Sequence, residues 1–320
     1  MNLSNLDRRD FLRGTVAAGA ALGLSLRGLD AWAADASGQP QPGKIGDFKI
    51  SLAEWSLHKA LRAKDAKITN LDFPKIARDQ YGIEAVEFVN QFFKEKAHDS
   101  AYLKDLKTRA NDNGVTCVLI MIDAEGDLSA KDDAKRTEAV TNHKAWVDAA
   151  AMLGCHAIRV NTGSNYGPDN VATIADGCGR LADYGAANKI SIICENHGGP
   201  SSDPNSLVAV MKAVNKPNFG TLPDFGNFPK KDGSYAIDVY DAIARMMPYA
   251  KGVSAKSYDF GPDGKETALD FARILKIVTD AGYNGFVGIE YEGTRLPEPD
   301  GIRATKALLE SLRGSNYKPA

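Results

Sequence analysis

Cysteine is scarce in this 320-residue chain, and the four present, Cys117, Cys155, Cys178 and Cys194, form no CxxC pair. That spacing excludes a zinc finger or a thioredoxin-like redox site and leaves four buried thiols as the expected state. Cys117 and Cys155 each open an apolar run expected to become neighbouring strands, so a late bridge between them is the alternative. No GxGxxG and no GxxxxGK[ST] occurs, which removes the glycine-rich phosphate turns of dinucleotide and P-loop folds. Charge of one sign is also lacking: the formal net charge is −2. Nucleic acid and anionic membrane surfaces are therefore not expected partners. Beyond the N-terminus no stretch reaches ~18 uninterrupted apolar residues, so stable membrane insertion is not expected either.

The N-terminus itself has the order of an export signal. Asp7-Arg8-Arg9-Asp10-Phe11-Leu12-Arg13 sets two adjacent arginines before an apolar pair, an apolar run follows over 15–26, and Ala31-Trp32-Ala33 offers a small-x-small cleavage site. Basic, apolar and small residues in that order predict a twin-arginine signal peptide over 1–33, read by the twin-arginine translocase. The mature protein is then periplasmic or extracellular. Removing the leader takes away four arginines and three aspartates, so the formal charge moves only from −2 to −3. A Gly/Pro/Ser-rich linker is expected over 34–44, one domain over 45–314 and a loose or partner-packed tail over 315–320.

Within the domain, short β-rich runs alternate eight times with stretches of helical period. Strands are expected at 48–57, 85–90, 116–123, 157–162, 191–195, 220–224, 252–256 and 286–290, with helices such as 132–153, 169–188, 204–214 and 270–281 between them. Ser202-Asp203-Pro204 carries an acceptor side chain before a first-turn proline. Gly114, Gly154 and Gly282 stand where left-handed C-caps would turn the chain into the next strand. Eight βα units of about 34 residues each close into a single (β/α)8 TIM barrel, an α/β fold, rather than an open doubly wound sheet.

In such a barrel the residues that end the strands build the mouth. Read in order they include Trp55 and His58, Glu87 and Asn90, Asp123 and Glu125, and Arg159 and Asn161. The later strands contribute Glu195 and His197, Asp224 and Asn227, Lys256, and Glu290 with Glu292. Strands five, six and eight are apolar up to a carboxylate, in Ile192-Ile193-Cys194-Glu195, Thr221-Leu222-Pro223-Asp224 and Val287-Gly288-Ile289-Glu290. Three acids crowded on one rim either raise a pKa or share a cation. Oxygen ligands suit Mg²⁺ or Mn²⁺, and a histidine among them favours Mn²⁺, Co²⁺ or Zn²⁺. Each acid alone would be an ordinary strand-end salt bridge or cap; the combination points to a divalent metal held by Glu195, Asp224 and Glu290.

From about Lys44 onward the chain resembles the xylose-isomerase-like sugar isomerase/epimerase barrels. The resemblance rests on Glu195 in CENHGG, Asp224 in PDFGNF and Glu290 in GIEYEG. It implies a divalent metal on these residues and proton transfer next to a sugar carbonyl through an enediolate, with Glu195 and Glu290 as acid and base. Lys256 would assist the developing oxyanion. One departure stands out: the family's strand-seven histidine is replaced by Ser254, leaving His197, Asn227 or water as the fourth ligand. His58 is a further proton-shuttle candidate, and Trp55, Glu87, Asp123, Asn161, His197 and Asn227 are candidate contacts to a small carbohydrate. Export disfavours phosphorylated substrates. The same enolate chemistry also supports a lyase or hydratase acting on 3-keto-glycosides, and loss of the metal would leave a carbohydrate-binding barrel. An apurinic endonuclease, which shares the barrel, would need more strand-end histidines than His58 and His197.

Overall fold

The computed structural model describes residues 40–319, so the expected leader and most of the linker lie outside the described residues. Eight parallel strands form one sheet: β1 (Lys49–Ala53), β2 (Ala85–Val89), β3 (Thr116–Ile122), β4 (Ala157–Val160), β5 (Ser191–Glu195), β6 (Phe219–Leu222), β7 (Val253–Ser257) and β8 (Phe286–Tyr291). Consecutive strands pair in order, and β8 pairs with β1. Between β6 and β7 the ring closes through single bridges, Thr221 with Ala250 and Asp224 with Ser254. Pro223 lacks an N–H and cannot extend β6, yet its carbonyl still accepts from Ser254 at 3.0 Å. Closure excludes an open sheet.

Eight helices return the chain to the strand starts: α1 (Phe73–Tyr81), α2 (Ser100–Asp112), α3 (Asp133–Leu153), α4 (Ala172–Ala187), α5 (Pro204–Val214), α6 (Val239–Met246), α7 (Phe271–Asp280) and α8 (Glu298–Leu312). Their ends follow cap chemistry. Asp132, Asp203 and Asp270 each accept backbone N–H groups at the N-termini of α3, α5 and α7. Gly154, in the left-handed region at φ 78°, ends α3.

The strands split the core into two compartments. Side chains facing the helices join the large outer core, whereas Ala53, Val89, Leu119, Met121, Ala157, Ile193 and Leu222 fill the barrel interior. All four cysteines are free and buried. Among the boundaries that differ from expectation, the first strand and the tail differ for clear local reasons. The first strand stops at Ala53, and 54–57 form a 3₁₀ turn. The cause is Glu54: its carboxylate accepts from the Val89 amide at 2.9 Å and from Asn70 Nδ2 at 2.8 Å, replacing the ladder there. The tail is not loose over its paired residues. Asn316–Tyr317 pairs antiparallel with Gly43–Lys44, and Tyr317 is buried. Among the described residues no helix is long and apolar enough to cross a membrane.

Candidate active site

Strand alternation decides which side chains reach the mouth. Residues two apart share a face, so the interior run continues upward from Ile193 to Glu195, from Leu222 to Asp224, from Ser254 to Lys256, and from Gly288 through Glu290 to Glu292. The same parity carries Ala157 to Arg159 and Asn161, and Met121 to Asp123. Register then sets neighbours side by side: Lys256 pairs with Glu290 across β7 and β8, and Asp224 with Ser254 across β6 and β7.

Glu195, Asp224 and Glu290 converge. Each offers a carboxylate oxygen within 4.8 Å of the others, and all three are buried. Two buried cations hold the cluster. Lys256 Nζ lies 3.0 Å from Glu290 Oε1 and 3.6 Å from Glu292 Oε2, and donates to Asn227 Oδ1 at 2.9 Å. Arg159 Nε lies 2.8 Å from Glu195 Oε2, while Nη1 donates to Asp123 Oδ1 at 2.9 Å. The Arg159–Glu195 contact is an ion pair without hydrogen-bond alignment, so Glu195 Oε2 accepts no hydrogen bond. Its other oxygen accepts from Asn227 Nδ2 at 2.8 Å. Asp224 Oδ1 accepts from the Gly226 and Asn227 amides, and Oδ2 from Ser254 Oγ at 2.6 Å.

Five carboxylates, Glu195, Asp224, Glu290, Asp123 and Glu292, thus face two cations. Burial raises Glu195 to about 7 against the pull of Arg159, with Glu290 adding to the rise. Burial likewise lifts Asp224 to about 7 despite Lys256. For Glu290, burial is outweighed by Lys256, Arg159 and His197, and the carboxyl sits below its ordinary value. Asp123 is also held down, Arg159 and its hydrogen bonds overcoming desolvation. The pair Glu195 and Glu290 is therefore split, one titrating near neutrality and one ionised.

The donor set fits a divalent cation. Ligand oxygens around Mg²⁺ at ~2.1 Å lie roughly 3–4 Å apart, within the spread of the three carboxylates. The excess of negative charge over the two buried cations points the same way.

The other sequence-predicted residues divide into two sets. Asp123, His197 and Trp55 line a cavity of about 110 Å³ together with Arg159, Glu290 and Glu292. Asn161 donates to Asp123 at 2.7 Å, and Asn227 bridges Glu195 and Lys256. Glu87, by contrast, lies in the barrel interior, with Ser51 Oγ donating to its Oε1 at 2.5 Å. Burial pushes it to about 8. His58 does not line the cavity; its Nδ1 lies 2.7 Å from the Trp55 carbonyl and 3.6 Å from Glu298. Trp55 is stacked on His58 and overlaid by the Arg62 guanidinium, 4.6 Å from the ring centroid. Its indole N–H donates to Glu292. Arg159 and Glu292, read from the sequence as mouth residues but given no role there, belong to the site, as does Gln91, which the sequence reading missed. Strand parity with Asn161 and Glu290 was the signal for the first two; Gln91, which donates to Asp123 Oδ2, gave none. A hollow of about 820 Å³ lies outside the barrel against α7 and α8, where Phe271 and Leu308 line it and no member of the carboxylate cluster reaches.

Comparison with known proteins agrees with the barrel fold. A family profile described as xylose isomerase-like TIM barrel matches residues 76–312, and a twin-arginine translocation signal profile matches residues 5–25. A putative hydroxypyruvate isomerase from Mus musculus is 30% identical over 89 residues, 28% of this chain and 31% of that protein. The match thus spans about a third of that relative's length. Among solved structures, D-psicose 3-epimerase with D-tagatose from Clostridium cellulolyticum H10 superposes with a TM-score of 0.65 at 14% identity, covering 83% of this chain and 99% of that one. A 3-keto-D-glucoside 4-epimerase from E. coli gives 0.63 at 13% identity, covering 83% and 100%. A xylose isomerase-like barrel from Mycobacterium smegmatis in complex with magnesium gives 0.62 at 16%, covering 83% and 96%.

Proposed function

The chain belongs to the xylose isomerase-like TIM barrel family, and from that membership and the mouth geometry we propose that it is an exported sugar isomerase or epimerase. It moves a proton next to the carbonyl of a non-phosphorylated sugar. The observation that carries this reading is the convergence of Glu195, Asp224 and Glu290 with a buried Lys256 among them.

Glu290, kept ionised by Lys256, is the base that removes the proton α to the carbonyl. Glu195, whose proton affinity burial raises, is the second carboxyl: it relays a proton from solvent to the other side, so it need not hold that proton while an ion sits on the cluster. Lys256 Nζ places a fixed positive charge where negative charge develops on the substrate oxygen. Asn227 holds Glu195 and Lys256 in register. A divalent ion on the three carboxylates would supply Lewis-acid polarisation of the carbonyl. The similarity to the magnesium-bound barrel and to the two sugar epimerases supports this class of chemistry. Both buried cations are already held by carboxylates, so a phosphate dianion would meet a mouth of net negative charge.

The test combines metal content with proton exchange. The purified chain should carry about one equivalent of Mg, Mn, Co or Zn by mass spectrometry, lost in a Glu195→Gln/Asp224→Asn double variant. In deuterated water it should exchange the proton beside the carbonyl of a ketohexose or a 3-keto-glucoside. Exchange with loss of a β-substituent would move the reaction to elimination. No ion bound after incubation with each metal, and no exchange, would overturn the proposal.

A further inference from the structure

Resting on the metal reading above, we propose that the cluster is an all-oxygen site suited to the hard ions Mg²⁺ or Mn²⁺, and that Ser254, by withholding an imidazole from β7, keeps down its preference for Zn²⁺ and Co²⁺. Among the described residues the convergent group contains Glu195, Asp224 and Glu290 and no nitrogen or sulfur atom. Ser254 is buried beside it: its Oγ lies 2.6 Å from Asp224 Oδ2 and 3.3 Å from Glu290 Oε2, between two of the three ligands. A neutral hydroxyl therefore stands where a side chain on β7 would have to supply a softer donor.

Softer donors are engaged elsewhere. His58 Nδ1 is taken by the Trp55 carbonyl, His143 by the Ala139 carbonyl inside α3, and His156 by the Lys251 carbonyl. His197 lines the cavity yet offers no atom within the convergent group. The four thiols are buried in the outer core, apart from the cluster at the mouth. Carboxylate, hydroxyl and water oxygens suit Mg²⁺ and Mn²⁺, whereas imidazole and thiolate are what favour Zn²⁺ and Co²⁺.

Ser254 acts on selectivity rather than on the reacting atoms, so the readout is a ratio of affinities. Isothermal calorimetry on the metal-stripped full chain would measure Mg²⁺, Mn²⁺, Zn²⁺ and Co²⁺ binding to the native protein, Ser254→His and Ser254→Ala. Ser254→His should raise the Zn²⁺-to-Mn²⁺ affinity ratio by about tenfold or more and Ser254→Ala should leave it unchanged. Thermal melts identify a variant that does not fold. In that event His197→Ala in the otherwise native chain decides the all-oxygen ligand set: Zn²⁺ binding should stay as it was. A His197→Ala loss of Zn²⁺ affinity, or an unchanged ratio in Ser254→His, overturns the assignment. Binding of none of the four ions to the native protein is the separate failure of the metal reading itself.

Discussion

Arg159 shows what a single buried charge does to this mouth. Its guanidinium touches Glu195 on one side and Asp123 on the other, and only 4% of the residue is exposed. It therefore competes with protons and metal ions alike for Glu195. Replacing it by Gln keeps the hydrogen-bonding capacity toward Asp123 and removes the charge. Both proton and metal affinity should rise, so binding is measured across a pH series and compared at its alkaline plateau, where competition from protons has ended. There Mn²⁺ should bind at least about tenfold tighter, equivalent to ~1.4 kcal/mol, in Arg159→Gln than in the native chain. Equal or weaker binding by calorimetry would show that Arg159 serves packing alone. The sequence made the three acids legible because each ends an apolar strand run. It did not reveal the partners. The role of Arg159 depends on Asp123 of β3 and Glu195 of β5, contacts that only closure of the barrel creates. His58 illustrates the converse: strand-end position is not orientation, and the 3₁₀ turn aims its ring toward Glu298.

At the scale of elements, alternating β and α patterns were enough to place all eight strands within a few residues of where they lie. The errors have local causes. Glu54 captures the Val89 amide and stops β1, and Pro223 stops β6. β8 shows a constraint that periodicity does not announce. Gly288 pairs with Ser51 on β1, and a Cβ at Gly288 would lie 2.6 Å from both Glu87 carboxylate oxygens. The glycine makes room for a buried acid that spans β2 and β1 through Ser51 Oγ. Gly288→Ala should destabilise the fold by about 1–3 kcal/mol through overpacking, and pairing it with Glu87→Ala should recover part of the loss. Chemical denaturation of the two single variants and the double variant measures that coupling. Additive losses would mean that the two side chains do not share the space.

For the whole molecule, the interior carries more acid than two buried cations neutralise, and folding stability should register the imbalance. Glu87 is raised to about 8, and Glu195 and Asp224 to about 7, each chiefly by burial. An unfolded carboxyl titrates near 4.5. Between these values the folded chain holds protons that the unfolded chain has released, so stability falls as pH rises through the window. Asp123 works in the opposite direction, but its depressed pKa confines that contribution to acid conditions. The metal-free protein should therefore melt several degrees lower at about pH 8.5 than at about pH 5.5. A divalent ion binds the ionised form of Glu195 and Asp224, so adding Mg²⁺ or Mn²⁺ should restore stability mainly at the alkaline end. Glu87 lies in the interior beneath the mouth, and its share of the loss should persist with the ion present. Glu87→Gln should reduce that residual slope. A melting temperature that is flat or rising across the window, or a metal increment equal at both ends, would show that the buried acids are neutralised by something other than protons and the proposed ion.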